Sequence, residues 1–345
     1  MQSALIRILP TTDSNEMRFR ALRRGAALFA LLLALVTGVS SATAADAVVR
    51  HLSHDELIAK YADHDSRFAD LDGVRVHYKD QGTGPALLLI NGSGGDLGDW
   101  DGWVATVSPH YRMIRVDLPG FGLSGPIANG NYSVDRMLGL IDSLMDSLGE
   151  AHFAIAGNSY GGLVAFRYAA TRVERVSGLI LINAAGVEWG MKRGTSTVGR
   201  PNPLLSTPAI TRSTIAEGLS KVINDPARIT GDLIQRRLDF ASAQGRDQEA
   251  LAGIRFYERG DPLRVLAHIQ APVLIEWGGE SKALSAETAD VFASALKNAR
   301  AVVKIIYPGG GHVLNIERPE ATSSDAAAFL DRYVAPHDTG HDKRS

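Results

Sequence analysis

The sequence predicts an α/β fold: a mostly parallel sheet with helices on both faces. Three observations carry that reading. Short apolar or β-branched runs alternate with amphipathic stretches along most of the chain, the pattern of parallel strands joined by crossover helices. One run, Ala86–Ile90 (ALLLI), has no polar position, as a strand buried on both faces requires. The 345 residues are 45% hydrophobic with a formal net charge of −2, which excludes a disordered chain and is long enough to bury a large core.

The elements follow in order. Gly73–Tyr78 (GVRVHY) alternates polar and apolar and reads as a half-buried strand. Further strands are expected at Met113–Val116, Phe153–Ala156, Leu179–Ile182, Val273–Ile275 and Val302–Ile306. Helices are expected over Val134–Leu148, Tyr160–Thr171, Ala286–Leu296 and Ala321–Tyr333. In the first of these, Met137, Leu138, Ile141, Leu144, Met145 and Leu148 recur at helical spacing. Between residues 187 and 270 no strand is evident; after a Pro-punctuated start, Ile215–Ile223, Ile229–Ala243 and Gln248–Tyr257 read as helices. That stretch is too long for an ordinary loop and reads as a helical insertion over one end of the sheet. The tail, 336–345, is polar.

The first 44 residues read as a targeting segment. Arg18, Arg20, Arg23 and Arg24 precede an apolar run, Ala26–Val36, and then small residues ending Ala42-Thr43-Ala44. A basic region, a short apolar region and an A-x-A site make a secretory signal peptide. The apolar run is shorter than the roughly 20 residues of a membrane span, so no stable span is expected after cleavage, with an uncleaved anchor as the alternative. Met17, directly before the basic cluster, is a candidate true start. Cleavage after Ala44 leaves a net charge of −5, with no electrostatic reason to expect nucleic acid. A periplasmic or secreted protein is expected, with 45–69 as an extension ahead of the core. With no cysteine, a disulfide scaffold, Cys-ligated metal and a Cys nucleophile are excluded.

Three loops carry chemistry. Gly157-Asn158-Ser159-Tyr160-Gly161 sits between an expected strand and an expected helix, the context of a G-x-S-x-G nucleophile elbow. The sharp turn strains the Ser backbone, so bulk is excluded two residues either side, and the helix N-terminus favours developing negative charge. Gly309-Gly310-Gly311-His312 follows a strand near the chain end; a His there can take the Ser159 proton and return it to a leaving group. Asn91-Gly92-Ser93-Gly94-Gly95 directly follows Ala86–Ile90. The N–H of Ser93 or Gly94, with that of Tyr160, can form an oxyanion hole. The same glycine loop lacks the Lys and Ser/Thr of a phosphate-binding P-loop.

These blocks, together with Asp117-Leu118-Pro119-Gly120-Phe121-Gly122-Leu123-Ser124 and Glu317-Arg318-Pro319, resemble the α/β-hydrolase superfamily over roughly residues 70–335. The resemblance implies an eight-stranded, mostly parallel sheet, a core at 70–186 and 271–335, and a helical cap at 187–270 inserted after the sixth strand. It places Trp100 and Trp103 where relatives often line the pocket entrance, and implies that Asp117 is structural. Two departures stand out. Asn91 replaces the usual His of the oxyanion loop. Relatives carry the triad acid as the Asp of W-G-x-x-D, and here the segment is Trp277-Gly278-Gly279-Glu280-Ser281, with Ser at that place. Glu280, one residue earlier, is the favoured acid, with Glu188 as a further candidate; Asn183 occupies the other place relatives use, and Glu276 is expected on the strand. The expected activity is cleavage of an ester-like bond in a small molecule through a Ser159 acyl-enzyme, with no cofactor or metal. Two alternatives remain: a C–C bond hydrolase of ring-cleavage products, whose Gly-Asn-Ser and Asn-Gly-Ser-Gly-Gly segments look similar, and a non-catalytic binding protein on a hydrolase fold.

Overall fold

The computed structural model describes residues 49–187, 210–255 and 260–334. The expected signal peptide, Glu188 and the polar tail lie outside the described residues. Eight strands form one sheet: β1 (Arg67–Leu71), β2 (Val74–Gln81), β3 (Ala86–Ile90), β4 (Arg112–Val116), β5 (Phe153–Asn158), β6 (Val176–Ile182), β7 (Val273–Gly278) and β8 (Val302–Tyr307). Their spatial order is β1-β2-β4-β3-β5-β6-β7-β8. β2 runs antiparallel to β1 and β4, and every pairing from β4 to β8 is parallel. The sheet is therefore mostly parallel, as the strand–helix alternation requires.

The helices of the core are α1 (His54–Tyr61), α2 (Asp101–Val107), α3 (Val134–Ser147) and α4 (Tyr160–Thr171). Between β6 and β7 come α5 (Arg212–Val222), α6 (Gly231–Ala241), α7 (Arg246–Arg255) and α8 (Pro262–Leu266). After β7 come α9 (Glu287–Ala295), α10 (Leu314–Glu317) and α11 (Pro319–Tyr333). The described part of the insertion is thus helical and follows the sixth strand. No helix among the described residues is long and apolar enough to cross a membrane.

The strands separate two apolar layers because their side chains alternate. On one face Leu88, Ile155, Leu179 and Ile275 pack with α3, α4 and α9. On the other, Leu87, Ala154, Ile180 and Leu274 pack with α2 and α11. All five residues of β3 are buried, in agreement with its uninterrupted apolar run. A third cluster lies within the insertion, where Ile215, Leu219, Val222 and Leu238 pack against Ala283.

Five elements escaped sequence reasoning: β1, α1 and the short helices α2, α8 and α10. β1 places the core's first strand at Arg67, three residues ahead of the expected boundary; with only Leu71 buried on it, it has no periodic apolar signal. α1 lies in the polar stretch expected to be an extension. Ser53 caps it in a reciprocal box with Glu56, and Leu57 anchors it on Leu123 and Phe240.

The loop after β4 is tied to the sheet by Asp117. Its carboxylate accepts from Leu97 N–H (2.7 Å), Leu123 N–H (2.9 Å) and His77 Nδ1 (2.7 Å). Burial alone would raise its pKa, but His77 and the two backbone donors hold it below the usual carboxylate value. Gly122 takes a φ of 45°, and a Cβ there would stand 2.0 Å from this carboxylate. Asp117→Ala removes three hydrogen bonds from buried groups at once. The variant is expected to lose about 3 kcal/mol or more in urea unfolding; a loss under about 1 kcal/mol contradicts this tie.

Candidate active site

Ser159 sits between β5 and α4 with φ 52° and ψ −114°. A positive φ in a non-glycine residue costs roughly 1–3 kcal/mol and persists only where the surroundings impose it. Here Ser159 N–H donates to Ile182 O (3.0 Å), while its carbonyl accepts from Leu163 (3.1 Å) and Ala185 (2.9 Å). Glycines make the approach possible. A Cβ on Gly157 would lie 2.3 Å from the Gly161 carbonyl, and one on Gly161 the same distance from Ile90 O. A serine opening a helix normally caps it. In this conformation Ser159 makes no capping bond, and its buried Oγ has no partner among the described residues.

His312 reaches the same place from the far end of the chain. Asn158, the residue before Ser159, donates its side-chain amide to the His312 carbonyl at 3.0 Å. Asn183, fully buried just past β6, donates to the same carbonyl at 2.9 Å and accepts from Gly278 N–H at 3.1 Å. These bonds hold the ends of β5, β6 and β7 against the His312 loop. The ring is 1% exposed, and Nε2 has no partner among the described residues. Burial lowers the His312 pKa to about 4, so at neutral pH the imidazole is an uncharged base.

The glycine loop after β3 closes the third side. A Cβ on Gly92 would be 2.8 Å from Asn158 Oδ1 and 3.2 Å from Ser159 Cβ, so the loop passes directly against the elbow. Gly94 has a φ of 72°, and Ser93 and Gly94 remain partly or fully exposed. Asn91 is buried, and its side-chain amide donates to the neighbouring Gly92 carbonyl at 3.0 Å. A local side-chain-to-backbone bond therefore holds Asn91 at the start of the glycine loop. The rings of Phe121, on the Asp117 loop, and Tyr160 meet at a tilt of 40° with centroids 5.7 Å apart.

This geometry has counterparts. The family model described as "Alpha/beta hydrolase family" matches residues 87–325. The chain belongs to that family. It is 29% identical over 317 residues to a dihydrolipoyllysine-residue acetyltransferase component of an acetoin cleaving system from Pseudomonas putida, covering 88% of this chain and 80% of that one. It is 25% identical to a 2-hydroxy-6-oxo-6-(2'-aminophenyl)hexa-2,4-dienoic acid hydrolase from Metapseudomonas resinovorans, covering 77% and 91%. A pimeloyl-[acyl-carrier protein] methyl ester esterase from Nitrosomonas europaea is 29% identical, covering 71% and 95%.

Within this family member, two expectations need correction. Glu280 is exposed. Its N–H donates to Gly310 O (3.0 Å) and its carbonyl accepts from Asn224 (3.2 Å), which fixes the turn with the carboxylate outward. The group against His312 Nδ1 is the buried Ser281 hydroxyl, at 3.4 Å, which also accepts from Leu284 N–H at 3.3 Å. Ser281 thus occupies the place of the usual acid, and the one-residue offset is not absorbed. Trp100 and Trp103 are fully buried in the layer shared with α11. Their rings meet edge to face at 4.9 Å, and Trp103 Nε1 donates to Thr322 at 3.0 Å. They are core residues rather than a pocket entrance. Glu276 is on β7 as expected; burial holds its carboxyl well above the usual range, and it accepts from the Tyr307 hydroxyl at 2.8 Å.

The insertion also binds the glycine-loop side through charge. Arg237 on α6 pairs with Asp99 (2.5 Å) and Asp96 (3.2 Å), and Arg236 with Asp96 (2.7 Å). Burial pushes Asp99 up to about 6 against the pull of Arg237. The composition contains these charges, but no local spacing pairs residues so far apart in the chain.

His312 sets a pH dependence with a definite sign. The unfolded ring takes its proton near pH 6.5 and the folded one near pH 4. Stability from this residue is therefore complete above about pH 6.5 and falls as the pH drops toward 4, by roughly 3 kcal/mol. NMR titration of the ring in the native protein is expected to give a midpoint near 4, and Ser281→Asp to raise it, because a carboxylate favours the imidazolium. An unchanged midpoint in that variant contradicts the placement of residue 281 against Nδ1.

Proposed function

We propose that this protein is a serine hydrolase that cleaves an ester-like bond in a small molecule through an acyl-enzyme. The observation that carries the reading is the pair of buried, unpartnered atoms, Ser159 Oγ and His312 Nε2, on loops joined by the Asn158 bond to the His312 carbonyl. Burying polar atoms without partners is costly, and such atoms gather where a substrate or a transferring proton will satisfy them.

In this reading Ser159 Oγ attacks the carbonyl while His312 Nε2 takes its proton. The oxyanion is received by Tyr160 N–H and the Ser93/Gly94 loop. His312 then protonates the leaving alcohol, and water, activated by the same ring, releases the acid. No step needs a metal or cofactor. Ser281 holds Nδ1 with a neutral, long hydrogen bond, so the imidazolium formed during the reaction lacks a carboxylate. Replacing the carboxylate of such a triad costs up to about 10⁴ in kcat, and a slow enzyme is therefore the expectation. The C–C bond reading is the second one, favoured by the similarity to the dienoic acid hydrolase. Export remains part of the proposal and rests on the basic, apolar and A-x-A pattern of residues 18–44.

Hydrolysis of p-nitrophenyl butyrate tests the reading. Wild type is expected to turn it over, Ser159→Ala to lose the activity, and Glu280→Gln to retain it within about twofold, as a surface change should. Ser281→Asp is expected to raise kcat roughly 10²-fold. Turnover of a 2-hydroxy-6-oxo-dienoate with none of the ester favours the second reading, and turnover of neither by folded protein removes both.

A further inference from the structure

The orientation of His312 depends on something other than a carboxylate at Nδ1, and the structure shows what grips the loop from the side of the insertion. α5 ends at Val222, whose carbonyl, like every terminal helix carbonyl, has no partner within its own helix. It accepts from His312 N–H at 2.7 Å and from Val313 N–H at 3.3 Å. Two residues on, Asn224 N–H donates to Glu317 Oε2 at 3.0 Å, and Gly311 N–H donates to the same oxygen at 3.1 Å. Asn224 also donates its side-chain amide to Gly309 O at 3.3 Å. Glu317 is 3% exposed, so these charge-assisted bonds are screened little by water. The fit requires glycine at 311, where a Cβ would lie 2.5 Å from Glu317 Oε2 and 2.9 Å from Val222 O.

Building on the hydrolase reading, we propose that Glu317 is a positioning residue: its buried carboxylate locks the His312 loop to the end of α5. The orienting work that a triad carboxylate performs at Nδ1 is here carried by the backbone. Glu317 fixes the residue before His312, Val222 fixes its N–H, and Asn158 and Asn183 fix its carbonyl. A 1 Å error in such a group can cost about 10²-fold in rate, so the lock matters most where Nδ1 has no carboxylate.

The test is a double-mutant cycle read as p-nitrophenyl butyrate turnover, with circular dichroism confirming that each variant folds. Glu317→Ala is expected to lower kcat about 10²-fold with KM within about threefold. In the Ser281→Asp background the same substitution is expected to cost about tenfold or less, because the new carboxylate orients the ring independently. Glu317→Gln, which keeps an oxygen for both N–H groups, is expected to recover most of the loss. If Glu317→Ala does not fold, Glu317→Asp, whose side chain is one methylene too short for both N–H groups, takes its place in the same two backgrounds. Equal fold-losses in both backgrounds, or a loss confined to KM, overturn the positioning role while leaving the hydrolase reading intact. Absence of turnover by folded wild type and Ser281→Asp overturns the hydrolase reading, and this inference with it.

Discussion

The carbonyl of His312 accepts from two buried amides, Asn158 and Asn183, and its N–H donates to the last carbonyl of α5. Each donor or acceptor comes from a different part of the chain: the elbow after β5, the turn after β6 and the end of the first insertion helix. The parallel sheet makes this convergence possible, because it brings the carboxyl ends of its strands to one edge. Asn158 has a particular place in it. It precedes Ser159, so the bond that fixes the His312 loop also ties that loop to the candidate nucleophile. The strained backbone of Ser159 is held by the same edge, through Ile182 and Ala185.

Electrostatics follow from this packing. A ring held so firmly and so deeply is dry, and dryness keeps it uncharged. In the usual triad an adjacent carboxylate offsets that penalty when the ring takes a proton. Here Ser281 supplies a hydroxyl at 3.4 Å, which can orient Nδ1 but contributes little to stabilising a charge. In the proposed mechanism the two roles that one carboxylate normally combines are separated: Ser281 and the backbone contacts of His312 orient the ring, whereas charge stabilisation is weak.

Much of this was legible in the sequence, for physical reasons that differ by element. β3 announces itself because burial on both faces leaves no room for a polar residue, and the elbow because a forced turn requires glycines at 157 and 161. β1 was missed because an edge strand with one buried residue has no periodicity to detect. Trp100 and Trp103 were placed at a pocket entrance because an aromatic signals burial without saying against what; their partners in α11 are more than 200 residues away. The acid was sought at Glu280 because chemistry asks for a carboxylate, but the backbone bonds of Glu280 turn its side chain outward. Ser281 can be read at the family's position, yet its contact with Nδ1 is a matter of turn geometry. Glu317 stood in a recognised block, but nothing in its spacing reveals that its carboxylate binds the backbone of both the His312 loop and the residues just past α5.

The central claim is that Ser159 is an activated nucleophile. The most direct measurement is mass spectrometry of the intact protein and its peptides after exposure to a fluorophosphonate. The account predicts one adduct per chain on the Ser159 peptide, absent in Ser159→Ala and formed faster in Ser281→Asp, since only an oxygen deprotonated by a nearby base displaces fluoride at a useful rate. Folded wild type that takes up no adduct, or an adduct that survives in Ser159→Ala, contradicts it.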